Sequence, residues 1–78
     1  MRYFMKMNEK IGIILKKIRK EKGFTQEELA SKASINEKYF GRIERNQNSP
    51  TLCKIFMICN ALDIKASSFI EQIENYRE

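Results

Sequence analysis

Residues 24–46 constrain the fold of this 78-residue chain more than any other stretch. Thr25, followed three residues later by Glu28, forms a capping box that predicts the start of a helix. The helical pattern breaks at residues 34–36, and Asn36 is a natural cap for a second helix. We therefore predict two short helices, about 26–33 and 36–45, joined by a tight corner. Spacing alone leaves two interpretations open: a structural hairpin inside a bundle, or a pair that places its second helix in a groove of DNA.

Apolar periodicity predicts three further helices. Apolar residues from Ile11 to Ile18 recur at i, i+3, i+4 and i+7, which predicts a first helix that Asn8 caps and Gly23 ends. Thr51 caps a fourth helix, about 52–61, and a fifth follows at about 66–76. The fourth helix is apolar around most of its circumference, Leu52 and Phe56 included, so we expect it to be the most buried.

No stretch alternates in the manner of a strand, so the predicted fold class is all-α. We divide the chain into an arm, residues 1–7, and a single domain, residues 8–78. The arm is either disordered, folded back onto the domain or part of a dimer contact.

The charge of +5 is unevenly distributed. Residues 1–22 hold eight basic side chains against two acidic ones, residues 23–49 balance, and residues 50–78 have a slight acidic excess. One basic end favours a polyanionic partner such as nucleic acid, although solvated lysines on a helical surface are the simpler interpretation.

Several kinds of site are disfavoured by composition. There is no histidine, and the two cysteines, Cys53 and Cys59, lie in one apolar helix, so we expect buried free thiols, no metal site and no catalysis. Residues 1–10 lack the apolar region of a signal peptide, and no apolar run is long enough to cross a membrane. We therefore expect a cytoplasmic protein without a cofactor.

The central stretch contains the motif R-x-x-x-G-x-T-Q-x-x-L-A followed by Y-x-x-x-I-E-R-N, within LKKIRKEKGFTQEELASKASINEKYFGRIERN and before Thr51-Leu52. This motif resembles the Cro/C1-type, or XRE, helix-turn-helix family. The resemblance implies a five-helix, lambda-repressor-like domain whose helix-turn-helix runs from residue 26 to residue 45. The tail IFMICNALDIKASSFIEQIE looks like that of restriction–modification controller proteins, which are small dimers that regulate their own operon and an endonuclease gene. Phage repressors and SinR-like regulators have similar tails.

The resemblance also implies roles for single residues. Gln26 matches a residue that holds a phosphate through its amide, and Arg19 and Glu44 match a salt bridge between the first and third helices. Many relatives have glycine where this chain has Ser34, so a left-handed conformation there would carry strain. The positions matching base contacts are Glu37, Lys38, Gly41 and Arg42. The candidates for backbone contacts are Thr25, Gln26, Tyr39, Arg45, Asn46 and Asn48.

Gly41 is an unusual residue for the middle of a helix, because glycine costs about 1 kcal/mol of helix stability relative to alanine. Either a ligand or a neighbouring helix must approach closely there.

The fifth helix is relevant to the oligomeric state of the protein. We predict that helices one to four close the core and leave an apolar stripe for a dimer contact; a helix folded onto its own core is the alternative. The predicted dimer residues are Phe69, Ile70, Ile73 and Tyr76.

The expected function is that of a homodimeric regulator of transcription that binds a palindromic site in double-stranded DNA without a small-molecule effector. Within the family, an antitoxin or a phage-type repressor is the alternative to a controller protein. Outside it, the competing function is a helical protein-interaction module that docks through the fifth helix. Glu27 and Glu28 either contact RNA polymerase or simply favour the helix N-terminus.

Overall fold

The computed structural model describes residues 6–77, and over that range it contains five α-helices and no strand. The all-α, five-helix prediction is therefore confirmed. The predicted arm lies largely outside the described residues, and its last residue, Met7, already belongs to the first helix. The helices are α1 (Met7–Glu21), α2 (Gln26–Lys32), α3 (Glu37–Glu44), α4 (Leu52–Leu62) and α5 (Ala66–Glu74).

Side-chain caps begin α2, α3 and α4 at the predicted residues. The Thr25 hydroxyl accepts a hydrogen bond from the Glu28 N–H at 3.0 Å, and the Glu28 carboxylate accepts one from the Thr25 N–H at 2.9 Å. Asn36 Oδ1 accepts from the backbone of Tyr39 at 3.1 Å, and Thr51 caps α4 in the same way. Short polar side chains therefore set where each of these helices starts.

The predicted cap of α1 was wrong. The helix begins at Met7, and Glu9 Oε1 accepts a hydrogen bond from the Lys6 backbone N–H at 2.7 Å. Asn8 lies inside the first turn, where its Nδ2 donates to the carbonyl oxygen of Asn46 at 2.9 Å. The Asn8 side chain, which was predicted to cap α1, thus binds a loop that is distant in sequence.

Four helices end at a residue with positive φ. At the end of α1, Gly23 has φ 82°, its N–H donates to Lys20 at 3.1 Å, and the Phe24 N–H donates to Arg19 at 3.1 Å. This is the paired hydrogen bonding of a Schellman turn. The same turn ends α2, α3 and α4 with non-glycine residues, namely Ser34 (φ 58°), Asn46 (φ 66°) and Asp63 (φ 58°). The left-handed conformation expected at Ser34 is therefore present.

The core draws side chains from all five helices, and two of its most deeply buried side chains belong to α3. Phe40 and Ile43 of α3 are completely buried, as is Leu29 of α2. These residues hold the corner between α2 and α3 against α1, which contributes Leu15 at 1% exposure. The orientation of α3 is thus fixed by the interior of the domain.

Gly12, to which the sequence analysis gave no role, marks where α1 crosses the end of α3. A Cβ at this buried position would lie 2.8 Å from the Ile43 carbonyl oxygen and 2.9 Å from that of Glu44, and it would overlap the Asn46 side chain. Real Cβ atoms hardly ever approach backbone oxygens so closely. Glycine at this position therefore allows the two helices to cross.

Two expectations about α4 were wrong. Leu52 and Phe56 are 64% and 51% exposed rather than buried, because the adjacent face of the helix, with Ile55 and Ile58, packs into the core. Cys59 is buried as predicted, and burial raises the pKa of its thiol to about 11. Cys53 is exposed, so only one of the two cysteines is a buried thiol.

The predicted stripe on α5 is mostly interior. Phe69 and Ile73 are 2% and 4% exposed, and Tyr76 is half-buried against the same cluster. The expectation that the first four helices close the core was therefore wrong, because α5 packs on α1 and α4 and completes it. Ile70, at 36% exposure, is the predicted dimer residue that stays on the surface.

None of the described helices is both long and apolar enough to cross a membrane.

Candidate nucleic-acid interface

The exposed side of α3 forms one wall of an open groove of about 390 Å³. The groove also contains one residue from the start of α2, which the tight corner brings beside α3, and two residues from the segment that follows α3. Three of its lining side chains are cationic and one is anionic. The lining residues are Gln26, Glu37, Lys38, Gly41, Arg42, Arg45 and Gln47.

All four residues predicted to face base edges line this groove. Glu37, Lys38 and Arg42 are exposed, and Lys and Arg are the side chains that donate to guanine in the major groove. Gly41 differs from these three because it is buried, with Arg45 and Gln26 as its nearest side chains. The position predicted for a base contact at Gly41 is therefore covered by neighbouring side chains.

The residues predicted to contact the DNA backbone are more scattered. Gln26 and Arg45 line the groove. Thr25, the cap of α2, precedes Gln26 in the sequence and is not among the lining residues. Tyr39 is half-buried against the hydrophobic core. The Asn48 N–H donates to the Arg42 carbonyl oxygen at 3.3 Å, which places its backbone at the end of α3. For these five residues a backbone contact stays a prediction.

The sixth such residue, Asn46, also has a structural role. It is half-buried in the left-handed position that ends α3, and its carbonyl oxygen accepts the hydrogen bond from Asn8. With its amide nitrogen turned toward α1, that nitrogen lies 3.3 Å from the Asn8 carbonyl oxygen and 3.2 Å from that of Glu9. Asn46 therefore joins α3 to the first turn of α1, and its DNA backbone contact stays a prediction.

A buried hydrogen-bond network lies behind the groove. Arg19 binds Glu44 through two contacts, from Nε to Oε2 at 2.6 Å and from Nη2 to Oε1 at 3.0 Å, with the two side chains 8% and 1% exposed. Arg19 Nη1 also donates to the Phe24 carbonyl oxygen at 2.8 Å. The salt bridge implied by the resemblance is present, and it ties α1 to α3 and to the turn before α2.

The same carboxylate reaches the groove. Gln26 Nε2 donates to Glu44 Oε1 at 2.8 Å, so this oxygen accepts from both Gln26 and Arg19. The bond fixes which way the Gln26 amide points, because a carboxylate can only accept. One amide hydrogen of Gln26 is thus used inside the protein, and no hydrogen bond from the second is described among residues 6–77.

Gln47 is a groove residue that the sequence analysis missed. Its backbone N–H donates to the Arg42 carbonyl oxygen at 2.8 Å. Of the two hydrogen bonds in the Schellman turn after α3, this is the one that spans more residues. That turn returns the chain to the α3 surface. The sequence does contain a signal for this turn. Asn46 stands directly after the predicted end of the helix, and asparagine is the residue that can replace glycine in such a turn.

Among residues 6–77 no group of three or more His, Cys, Asp or Glu side chains is placed to hold a metal ion.

Comparison with known proteins identifies the class. A helix-turn-helix family profile matches residues 15–69. The chain is 30% identical over 60 residues to the regulator y4dJ of Sinorhizobium fredii, covering 77% of this chain and 78% of that protein. It is 35% identical over 63 residues to SinR of Bacillus subtilis, covering 80% of this chain but only 57% of SinR. The chain therefore belongs to the Cro/C1-type (XRE) helix-turn-helix family of transcriptional regulators, which are not enzymes.

Solved structures agree with this family. The wild-type restriction–modification controller protein C.Esp1396I has 34% sequence identity and a TM-score of 0.83, with 91% of this chain and 93% of that chain covered. The same protein has been solved as a tetramer in complex with its natural 35-base-pair operator, and this chain matches it with a TM-score of 0.82. The lambda-repressor-like fold and the resemblance to controller proteins are both confirmed.

Proposed function

We propose that this regulator binds double-stranded DNA in a sequence-specific manner, as a homodimer on a palindromic operator, in the way a restriction–modification controller protein does. The observation that carries the proposal is the exposed face of α3, where Lys38 and Arg42 stand in an open groove without a described partner inside the protein. The operator complex of C.Esp1396I supports it, because that relative uses the same fold on DNA.

The proposed mode of binding places α3 in the major groove. Lys38 or Arg42 donates to O6 and N7 of guanine, and Glu37 accepts from cytosine N4. Gln26 and Arg45 contact phosphates at the edge of the groove, which positions α3 without reading sequence. In a two-fold dimer the two α3 helices lie about 34 Å apart, one helical turn of DNA.

Arg42→Ala tests base recognition. The wild-type protein first selects its preferred duplexes from a pool of random sequence, and both proteins are then measured on variants of the selected site. We expect Arg42→Ala to relax the preference at one base position in each half-site, with a loss of about 1–3 kcal/mol for the preferred base. Fluorescence anisotropy at a fixed salt concentration measures both effects.

The matched control is Lys65→Ala, which removes one exposed positive charge outside the groove. It should leave the order of base preferences unchanged. Failure of the wild-type protein to enrich any duplex at moderate salt would contradict the proposed function, and an unchanged preference in Arg42→Ala would contradict the role of Arg42.

The dimer contact belongs to the same proposal, but the surface shares only Ile70 with the one predicted from the sequence. Large apolar side chains stand exposed on α4 and α5, with Leu52 at 64%, Phe56 at 51% and Ile70 at 36%. Exposed apolar side chains of this size are typical of contacts between subunits. We place the homodimer contact on these residues.

Phe56→Glu tests the contact. A buried, unpaired carboxylate at an apolar interface is strongly disfavoured, so we expect the variant to be monomeric where the wild-type protein is dimeric. Sedimentation equilibrium over a range of concentrations gives the dimer dissociation constant. Gln72→Glu adds the same charge at an exposed polar position of α5, on the side of the helix away from Ile70, and should not change that constant. A Phe56→Glu protein that dimerises as tightly as the wild type excludes this surface.

The alternative function was that of a protein-interaction module that docks through α5. It loses its main support, because two residues of the proposed docking stripe, Phe69 and Ile73, are in the core. A role for Glu27 and Glu28 in contacting RNA polymerase stays a prediction, as do the cytoplasmic location and the choice between controller protein, antitoxin and phage-type repressor.

A further inference from the structure

Gly41 is a glycine in the middle of α3, where alanine would favour the helix. A Cβ added there would lie 2.9 Å from Arg45 Nη1, 3.5 Å from Gln26 Oε1 and 3.7 Å from Arg45 Cζ. All three atoms belong to side chains that line the groove. Gly12 is different, because its added Cβ would meet backbone oxygens of α3. Of these two glycines, Gly12 permits helix packing and Gly41 leaves room for a side chain.

The side chain in question is that of Arg45. Long side chains in a helix point toward its N-terminus and cover the turn before their own Cα. Arg45 follows Gly41 by four residues, so its guanidinium lies against the bare helix surface that glycine leaves. In this position the guanidinium shares the groove with Arg42, Lys38 and the amide of Gln26.

We infer that Gly41 is a positioning residue for DNA binding, which acts by letting the Arg45 guanidinium lie close against α3 in the groove. This inference rests on the proposed function. The guanidinium is a planar fork of donors that binds phosphate or a base edge in a defined geometry, so its position matters more than that of a lysine would.

A methyl group at position 41 changes this arrangement without damaging the fold. Nη1 at 2.9 Å is closer than an ordinary contact allows, but it is the end of an exposed, flexible side chain. The guanidinium therefore moves and the backbone stays. Gly41→Ala should stabilise the protein and weaken DNA binding, and a residue with a merely structural role would not change the two properties in opposite directions.

The experiment compares Gly41→Ala, Arg45→Ala and the double variant with the wild-type protein, using the duplex that the wild-type protein selects. We expect Gly41→Ala to raise the melting temperature by about 4 °C and to weaken binding about tenfold, within the range for loss of one charge-assisted hydrogen bond. Arg45→Ala should weaken binding by a similar factor and lower the slope of log affinity against log salt by about one. The double variant should bind no more weakly than Arg45→Ala.

Gln72→Ala is the matched control, because it replaces an exposed helical residue on α5 by alanine outside both the groove and the proposed dimer contact. It should raise the melting temperature slightly and leave DNA affinity unchanged. This outcome separates the effect of the methyl group in the groove from a general effect of added helix stability.

The remaining outcomes overturn the inference. Wild-type affinity in Gly41→Ala, a lowered melting temperature, or a double variant in which the two losses multiply would each do so. In the last case the space above Gly41 serves DNA directly and not Arg45. If the wild-type protein selects no duplex, it is the proposed function that fails, and that result is distinct from each of these.

Discussion

Glu44→Ala is expected to lower the free energy of unfolding by about 3–5 kcal/mol, since removing one partner of a buried salt bridge leaves the other charge uncompensated. The Arg19 guanidinium would keep only the Phe24 carbonyl oxygen among the acceptors described here, and Gln26 would lose its internal acceptor. Total stability for a domain of this kind is about 5–15 kcal/mol, so much of it would be lost. Chemical denaturation followed by circular dichroism measures the change.

Two further variants separate charge from packing. Glu71→Ala removes an exposed carboxylate from α5 and should change stability by no more than about 0.5 kcal/mol. Replacing both partners by apolar residues, Arg19→Met with Glu44→Leu, should recover much of the loss, because no buried charge is then left unpaired. A loss below about 1 kcal/mol in Glu44→Ala would mean that water reaches Arg19 freely and that the bridge is not buried in solution.

Gly12→Ala is expected to destabilise the protein by about 2 kcal/mol, despite the helix preference of alanine. The added carbon would lie 2.8 Å and 2.9 Å from two carbonyl oxygens of α3, and neither backbone oxygen can rotate away. Relief requires α1 to move away from α3, which loosens close packing along that crossing, and overpacking of this kind costs about 1–3 kcal/mol. Thermal unfolding followed by circular dichroism measures the loss.

Gly41→Ala serves here as the comparison, because it introduces the same methyl group into the same kind of helix. We expect the two variants to shift stability in opposite directions, since one methyl meets backbone and the other meets a movable side chain. Equal shifts in the two variants would show that the crossing at Gly12 is no closer than an ordinary helix contact.

Local signals in the sequence predicted the helix boundaries well. Thr25, Asn36 and Thr51 all cap helices, and Gly23 ends α1, because each of these effects depends on hydrogen bonds within a few residues. Asn8 was the exception. Its side chain is engaged by the loop after α3, 38 positions away, and such a partner is not visible in local sequence.

Burial was harder to predict for α4 and α5. A helix that is apolar around most of its circumference does not reveal which side faces inward, so Leu52 and Phe56 were assigned to the core in error. The position of α5 depends on whether the preceding helices leave a gap, which is a property of their packing and not of any one segment. Gly12 was missed for the same reason, because only the crossing with α3 explains it.

The candidate site likewise has features that could be predicted from the sequence and features that depend on tertiary packing. The resemblance supplied Arg19, Glu44 and the exposed face of α3, since these follow a recurring motif. It did not supply the bond from Gln26 to Glu44, the tie from Asn46 to α1, or the place of Gln47. Each of these depends on how α1, the start of α2 and the loop after α3 meet at the end of α3.

Glu37, Lys38 and Arg42 are exposed, while the residues that hold α3 in place lie on its other side or beneath it. Substitutions at these three positions therefore change the chemistry offered to a ligand at little cost in folding free energy. If the proposed function holds, a library that randomises these three positions can be searched for new operators without a compensating change in the core. The DNA target of such a protein can then diverge while its fold does not.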